Sequence, residues 1–139
     1  MLLNKKVIRK WYLLDAENKN LGRISTLISL ILQGKNKSEY SSNIDVGDYI
    51  VLINAKKIKV TGNKFNNKIY YKHTGYIGNL KKYCFKDIMQ KNPKYIIIHS
   101  IKGMLPKNKL QNIFIKKLKI FLDSNHTYKN IKFNILDIN

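Results

Sequence analysis

The chain has 139 residues, enough for one domain with a hydrophobic core, and we expect a single domain over residues 1–139. Its 27 lysine and arginine residues outnumber the eight acidic residues and give a net charge of +19. Because so many like charges repel one another within the fold, the usual reason for such a charge is a polyanionic partner rather than solubility. The composition excludes a disulfide framework, because Cys84 is the only cysteine, and a membrane span, because no apolar run approaches roughly 20 residues.

The first third of the chain predicts a strand, a helix and a second strand. Trp11–Ala16 is typical of a strand, and Leu21–Gln33 has apolar residues at the spacing of an amphipathic helix. Gly34 follows where a left-handed residue ends helices. Tyr49–Asn54 is a continuous apolar run, as expected of a strand buried on both faces. This order favours a largely parallel sheet with a right-handed crossover.

The remaining elements are shorter or ambiguous. Lys68–His73 predicts a strand that leads into a glycine-rich loop, and Phe85–Lys91 predicts a helix. Asn108–Phe121 has apolar residues at helical spacing and predicts one longer helix. Tyr95–Ile101 is rich in β-branched residues, which taken alone indicates a strand. The segment 132–138, KFNILDI, predicts a last short strand.

Positive charge is concentrated in residues 49–119, which hold seventeen lysines and one acidic residue, Asp87. Residues 1–48 carry a net charge of +3, and residues 120–139 are neutral. An acid-poor stretch of this length fits a phosphate backbone better than an anionic metabolite, which needs only a few charges. The excess of lysine over arginine, with many Asn and Ile residues, fits an AT-rich genome of a reduced bacterium or an organelle.

The stretch Tyr70–Gly78, YYKHTGYIG, raises the choice between an active site and an RNA-binding surface. The three histidines lack the spacing and neighbours of metal ligands. The segment QGKNKSEY does not fit a phosphate loop, because Ser29 stands where the first glycine is required and Asn36 stands where Ser or Thr should follow the lysine. On a strand, Tyr70 and Lys72 share one face while Tyr71 and His73 share the other, and we expect one of these faces to be core. We therefore expect no catalytic residue, cofactor, metal or small-molecule substrate, and RNA contact is favoured.

Other candidate reactive groups have structural interpretations. Asp15, Asp45 and Asp48 lie at predicted element boundaries, where aspartate caps helices and forms turns. Cys84 stands between two aromatic residues and is expected to be a buried thiol that packs as a small hydrophobe.

Six motifs, in this order and spacing, resemble the L13 family of large-subunit ribosomal proteins: WYLLDAENKNLGRIST, GKNKSEY, NIDVGDYIVLIN, VTGNK, HTGYIG and KGMLPKN. The similarity extends from about Lys10 to Ile138. It implies a three-layer α/β/α sandwich around a small, mainly parallel four-stranded sheet. It also implies a helix leading into KGMLP, so we expect Tyr95–Ile101 to be helical after all.

The resemblance implies a structural constituent of the large ribosomal subunit that binds large-subunit rRNA directly and early in assembly. It implies neighbouring large-subunit ribosomal proteins as partners, no enzymatic activity, and a cytoplasmic ribosome of an AT-rich bacterium or an organellar ribosome. A free-standing, non-catalytic RNA-binding module remains the alternative, because it would explain the charge equally well.

The expected rRNA contacts are basic residues and loop residues of the matching motifs. They are Arg23, Lys35, Lys37, Lys56, Lys57, Lys64, Lys68, Lys72, His73, Thr74, Gly75, Tyr76, Lys102, Gly103, Met104, Pro106, Lys107, Lys109, Lys116 and Lys117. The chain departs from the family at Gln111 and Asn112, where a Gly-Arg pair is common, and at Asp123, where glycine is usual. Because lysine is a poorer bidentate donor than arginine, we expect affinity to depend on the number of charges.

Overall fold

The structure, a computed structural model, describes residues 7–136. Within this range it has a four-stranded sheet, a separate two-stranded hairpin and five α-helices. The elements in chain order are β1 Trp11–Asp15, α1 Leu21–Gln33, β2 Tyr49–Ile53, α2 Lys64–Asn67, β3 Ile69–His73, β4 Leu80–Cys84, α3 Phe85–Lys91, α4 Pro93–Met104, α5 Leu110–Lys116, β5 Leu118–Ile120 and β6 Asn134–Leu136. No helix of this range is long and apolar enough to cross a membrane.

The main sheet has the strand order β5-β2-β1-β6, and all three strand pairs are parallel. Leu14 of β1 pairs with Leu52 of β2 and Leu136 of β6. One face of the sheet packs on α1, α4 and α5 through fully or nearly fully buried side chains. These include Leu14, Ile50 and Leu52 of the sheet and Ile24, Ile28, Ile97, Ile101 and Phe114 of the helices. The predicted α/β fold with a four-stranded parallel sheet is confirmed, and this face carries one helical layer of the expected three-layer α/β/α sandwich.

Aromatic side chains cover the other face. Because side chains alternate along a strand, Trp11 points away from the face that holds Leu14. Its ring stacks on Tyr49, with centroids 4.5 Å apart, and contacts Tyr128 and Phe133 at 5.3 and 6.4 Å. The last two belong to the irregular segment 121–133, in which no helix forms. The layer on this side of the sheet is therefore an aromatic coil segment.

Helix α1 begins and ends where the sequence predicts. Gly34 follows its last residue with φ of 80°, a left-handed conformation that glycine adopts without steric cost. The N–H groups of Gly34 and Lys35 donate to the carbonyls of Ile31 and Leu30, which satisfies acceptors at the helix end. The strands β1 and β2 are confirmed to within one residue, and α3 is confirmed in full.

Two predictions for the second half of the chain are wrong, and two besides α3 are confirmed. The helix predicted over Asn108–Phe121 ends at Lys116, because the residues after Lys117 pair with β2 as the edge strand β5. Cys84 is exposed, because β4 lies in a hairpin outside the core. The helix over Tyr95–Ile101 is confirmed as part of α4, which begins at a proline. The last strand is confirmed as β6, and residues 137–138 of that prediction lie outside the described residues.

Candidate nucleic-acid interface

An open cleft of about 440 Å³ lies at the start of α1, and we call it the α1 cleft. Its cationic side chains are Arg23 on α1, Lys64 on α2 and Lys68 just before β3, and no carboxylate lines it. The first turn of α1 contains no acidic residue, and Asn20 makes no side-chain capping bond. A Cβ on Gly22 would meet no atom within 4 Å, so the backbone here is open to a large ligand. The positive end of the helix dipole thus adds to the positive potential of the three cationic side chains in the cleft.

A second depression, which we call the α4 groove, lies where α4 ends. It is about 590 Å³ in volume and is lined by His99, Lys102, Gly103, Lys107 and Gln111. The Gln111 amide donates to the Lys102 carbonyl at 2.9 Å and to the Leu105 carbonyl at 3.4 Å. Gln111 therefore braces the loop from inside, although the sequence marked this position only as a departure from the family.

The hairpin of β3 and β4 presents the predicted glycine-rich loop. At its tip Gly75 and Gly78 have φ of 93° and 76°, and His73 Nδ1 accepts a hydrogen bond from the Gly75 N–H at 2.9 Å. Tyr76 is 76% exposed. On the strands, Tyr70 is buried and Tyr71 is exposed, so the prediction that one face is core is confirmed. Burial raises the pKa of the Tyr70 phenol.

Most of the predicted contact residues lie on the surface. The exposed ones are Arg23, Lys35, Lys56, Lys57, Lys64, Lys68, Lys72, His73, Thr74, Gly75, Tyr76, Lys102, Gly103, Met104, Pro106, Lys107, Lys109 and Lys116. Two of them are engaged in ion pairs: Lys56 with Asp123 at 3.3 Å and Lys57 with Glu17 at 2.7 Å. The hydrogen bond that Lys57 Nζ donates to the Glu17 carboxylate raises the pKa of Lys57.

Lys37 and Lys117 are exceptions that the structure places in internal ion pairs. Lys37 Nζ donates to the Val46 carbonyl at 2.9 Å and pairs with Asp48, which is fully buried. Lys117 is buried, donates to the Leu32 carbonyl at 3.1 Å and pairs with Asp45. Burial lowers the pKa of Lys117, although Asp45 acts in the opposite direction. Both ammonium groups hold the loop after α1 in place, and their contact with RNA stays a prediction.

The aspartates have structural roles: Asp15 and Asp45 form the expected turns, whereas the ion pairs were not predicted. Asp45 pairs with the buried Lys117, and Asp48 pairs with the partly buried Lys37. Asp15 accepts hydrogen bonds from the Glu17 N–H at 2.9 Å and from the Asn54 side-chain amide at 2.8 Å. Among residues 7–136, no group of three or more His, Cys, Asp or Glu side chains could hold a metal ion.

Two side chains, one lining the α4 groove and one beside it, were not among the residues predicted from the sequence. Tyr95 and His99 are exposed on α4, and their rings are stacked with centroids 5.8 Å apart. Their spacing of four residues places them on a shared helix face, but the expected contacts were drawn only from basic residues and loop residues of the matching motifs.

The family model and the similar proteins found by comparison all point to one family. A family model described as Ribosomal protein L13 matches residues 9–127. A protein of Vesicomyosocius okutanii named large ribosomal subunit protein uL13 is 55% identical over 134 residues, covering 96% of this chain and 94% of the relative. Proteins of the same name from Buchnera aphidicola and Thermoanaerobacter sp. are 54% identical over 118 residues and 46% identical over 134 residues. The Buchnera match covers 85% of this chain and 83% of the relative, and the Thermoanaerobacter match covers 96% and 94%.

Proposed function

Because the chain belongs to the ribosomal protein L13 family, whose members are structural and non-enzymatic, we propose that it binds large-subunit rRNA directly and early in assembly of the large ribosomal subunit. Its partners would be that rRNA and neighbouring large-subunit proteins. The bacterial relatives support a cytoplasmic bacterial ribosome, and the excess of lysine over arginine fits an AT-rich genome.

The observation that carries this proposal is the distribution of charge over the folded surface. The α1 cleft and the α4 groove are lined by cations without any carboxylate, and the hairpin adds Lys72, Lys81 and Lys82 on exposed strands. These lysines would neutralise phosphates and release counterions, which is the dominant sequence-independent term in nucleic-acid binding. The parallel sheet and its helices hold the three surfaces on one rigid core, so little conformational entropy is lost on binding.

Sedimentation tests the proposed role in the cell. A lysate of the source organism is run through a high-salt gradient, and each fraction is probed for this chain. We expect about one copy for each large subunit, and the chain should also be present in early precursor particles. A chain that runs free, or that spreads over all RNA, would contradict the ribosomal role and support the free-standing RNA-binding module.

Replacing Lys102 and Lys107 together by glutamine should weaken binding to large-subunit rRNA without unfolding the domain. Because each would contact phosphate, the slope of log affinity against log salt should fall in magnitude by about 2. Filter binding at several salt concentrations measures this slope, and thermal denaturation checks the fold. The matched control replaces Lys129 and Lys132, which are exposed in a part of the chain with no net charge. Equal effects of the two double variants would exclude the α4 groove as a preferred contact.

At the hairpin tip, His73 is expected to order the loop rather than to react. His73→Ala removes the acceptor for the Gly75 N–H and should weaken rRNA binding by a few-fold at most. His73→Asn should recover most of the lost affinity, because the asparagine side-chain oxygen can accept the same hydrogen bond from the Gly75 N–H. If the asparagine variant binds as weakly as the alanine variant, the ring itself contacts RNA.

A further inference from the structure

The exposed face of α4 carries a pair of stacked aromatic rings. Tyr95 and His99 lie one helical turn apart, with ring planes 17° from parallel. Tyr95 is 44% exposed, and His99 is also exposed. The pair thus presents flat π-surface to solvent on a helix, which is a rigid support.

A buried side chain holds this pair in place from below. Tyr70 meets the His99 ring edge to face, with centroids 5.2 Å apart, and meets the Tyr95 ring at 6.3 Å. Tyr70 itself packs on the fully buried Phe85 at 6.4 Å. Two exposed rings fixed by a buried third ring lose little rotamer freedom when a ligand binds, which favours affinity.

The pair borders the α4 groove, because His99 is one of the side chains that line it. Lys102 follows His99 by three residues on the same helix, and Lys107 lies on the loop beyond. No carboxylate lines the groove. A Cβ on Gly103 would meet no atom within 4 Å, so the groove floor is open there.

We propose that Tyr95 and His99 form a stacking platform for an unpaired base of single-stranded RNA, while Lys102 and Lys107 bind the phosphates beside it. The proposal rests on the proposed rRNA-binding function and adds a base contact to a surface that otherwise recognises phosphate. Flat aromatic rings beside cations are the combination with which proteins bind single-stranded RNA. A protein partner is disfavoured, because it would have to supply acidic groups to match the two lysines.

The test compares two probes with the same backbone charge. One is a ten-nucleotide oligouridylate, and the other is the same sugar-phosphate chain without bases. For the wild-type chain, we expect tighter binding of the oligouridylate. In His99→Ala and in Tyr95→Ala, the ratio of the two affinities should fall by about tenfold, as expected for the loss of one stacked base. Binding of the abasic probe should stay unchanged.

Two further variants separate stacking from other effects. His99→Phe keeps a flat ring and should retain the affinity ratio, which a role for the histidine charge would not allow. Tyr40→Ala removes a tyrosine that is 42% exposed, similar to Tyr95, and should leave the ratio unchanged. Thermal denaturation of each variant confirms that the domain is folded at the temperature of the measurement.

The outcomes distinguish this inference from the function on which it rests. If both alanine variants keep the wild-type ratio, or lose affinity equally for both probes, the platform is overturned and the aromatic pair only stabilises α4. Salt-dependent binding of the wild-type chain to rRNA would still support the proposed function. If the wild-type chain binds neither probe nor large-subunit rRNA, both the platform and the proposed function are overturned.

Discussion

Raising monovalent salt from about 50 to about 200 mM is expected to weaken binding of the chain to large-subunit rRNA by about 10³-fold or more. The reason is counterion release, which makes log affinity fall linearly with log salt in proportion to the number of phosphates neutralised. The exposed lysines of the α1 cleft, the α4 groove and the hairpin are numerous enough to engage six or more phosphates. Filter binding of the full chain to the rRNA over a salt series measures the slope directly.

A shallow slope would contradict this expectation. A loss of less than tenfold over the same range corresponds to about two phosphates, too few for three lysine-bearing surfaces. The control is a variant in which Lys129 and Lys132 are both replaced by glutamine, which should keep the wild-type slope. The slope also separates charge from stacking, because a base on the Tyr95–His99 platform adds affinity that salt affects little.

The parts of the fold that depend on local pattern could be predicted from the sequence. Helix α1 has a strong amphipathic period and a glycine at its end, and β2 is a continuous apolar run. The helix predicted over Asn108–Phe121 failed because Leu118 fits both the helix period and a buried strand position. In the structure Leu118 pairs with Ile50 of β2, a residue far away in the chain, and this pairing stabilises the strand rather than the helix.

The candidate interface could be predicted only as far as composition goes. Lysine residues look alike in the sequence, whereas the partners that bury Lys117 are a carbonyl 85 residues away and a carboxylate 72 residues away. The number of lysines was therefore informative about function, and the role of each lysine was not. Gln111 was missed for a similar reason, since its amide acts on the Lys102 carbonyl inside the folded loop.

The ion pairs inside the loop after α1 require the chain to pass very close to the end of that helix. A Cβ on Gly47 would lie 2.5 Å from the carbonyl carbon of Leu32, closer still to its oxygen, and 2.6 Å from Lys117 Nζ. The Gly47 N–H also donates to Asp45 at 3.2 Å, so this backbone position is fixed from two sides. Only glycine fits between the helix end and the ammonium group.

Gly47→Ala is therefore expected to lower the free energy of unfolding by about 3 kcal/mol, at the upper end of the usual cost of overpacking. The clash is with backbone atoms, which cannot rotate away, and relief would break the hydrogen bond from Lys117 to Leu32. Urea denaturation measures the change.

The matched control is Gly22→Ala at the other end of α1, where an added Cβ meets no atom within 4 Å. That variant should be about 0.5 kcal/mol more stable than wild type, because alanine loses less backbone entropy in a helix. Opposite signs for the two glycines would show that Gly47 is required for close approach. Wild-type stability of Gly47→Ala would mean that the loop after α1 can shift outward, and that the pair of Lys117 with Asp45 contributes little to the fold.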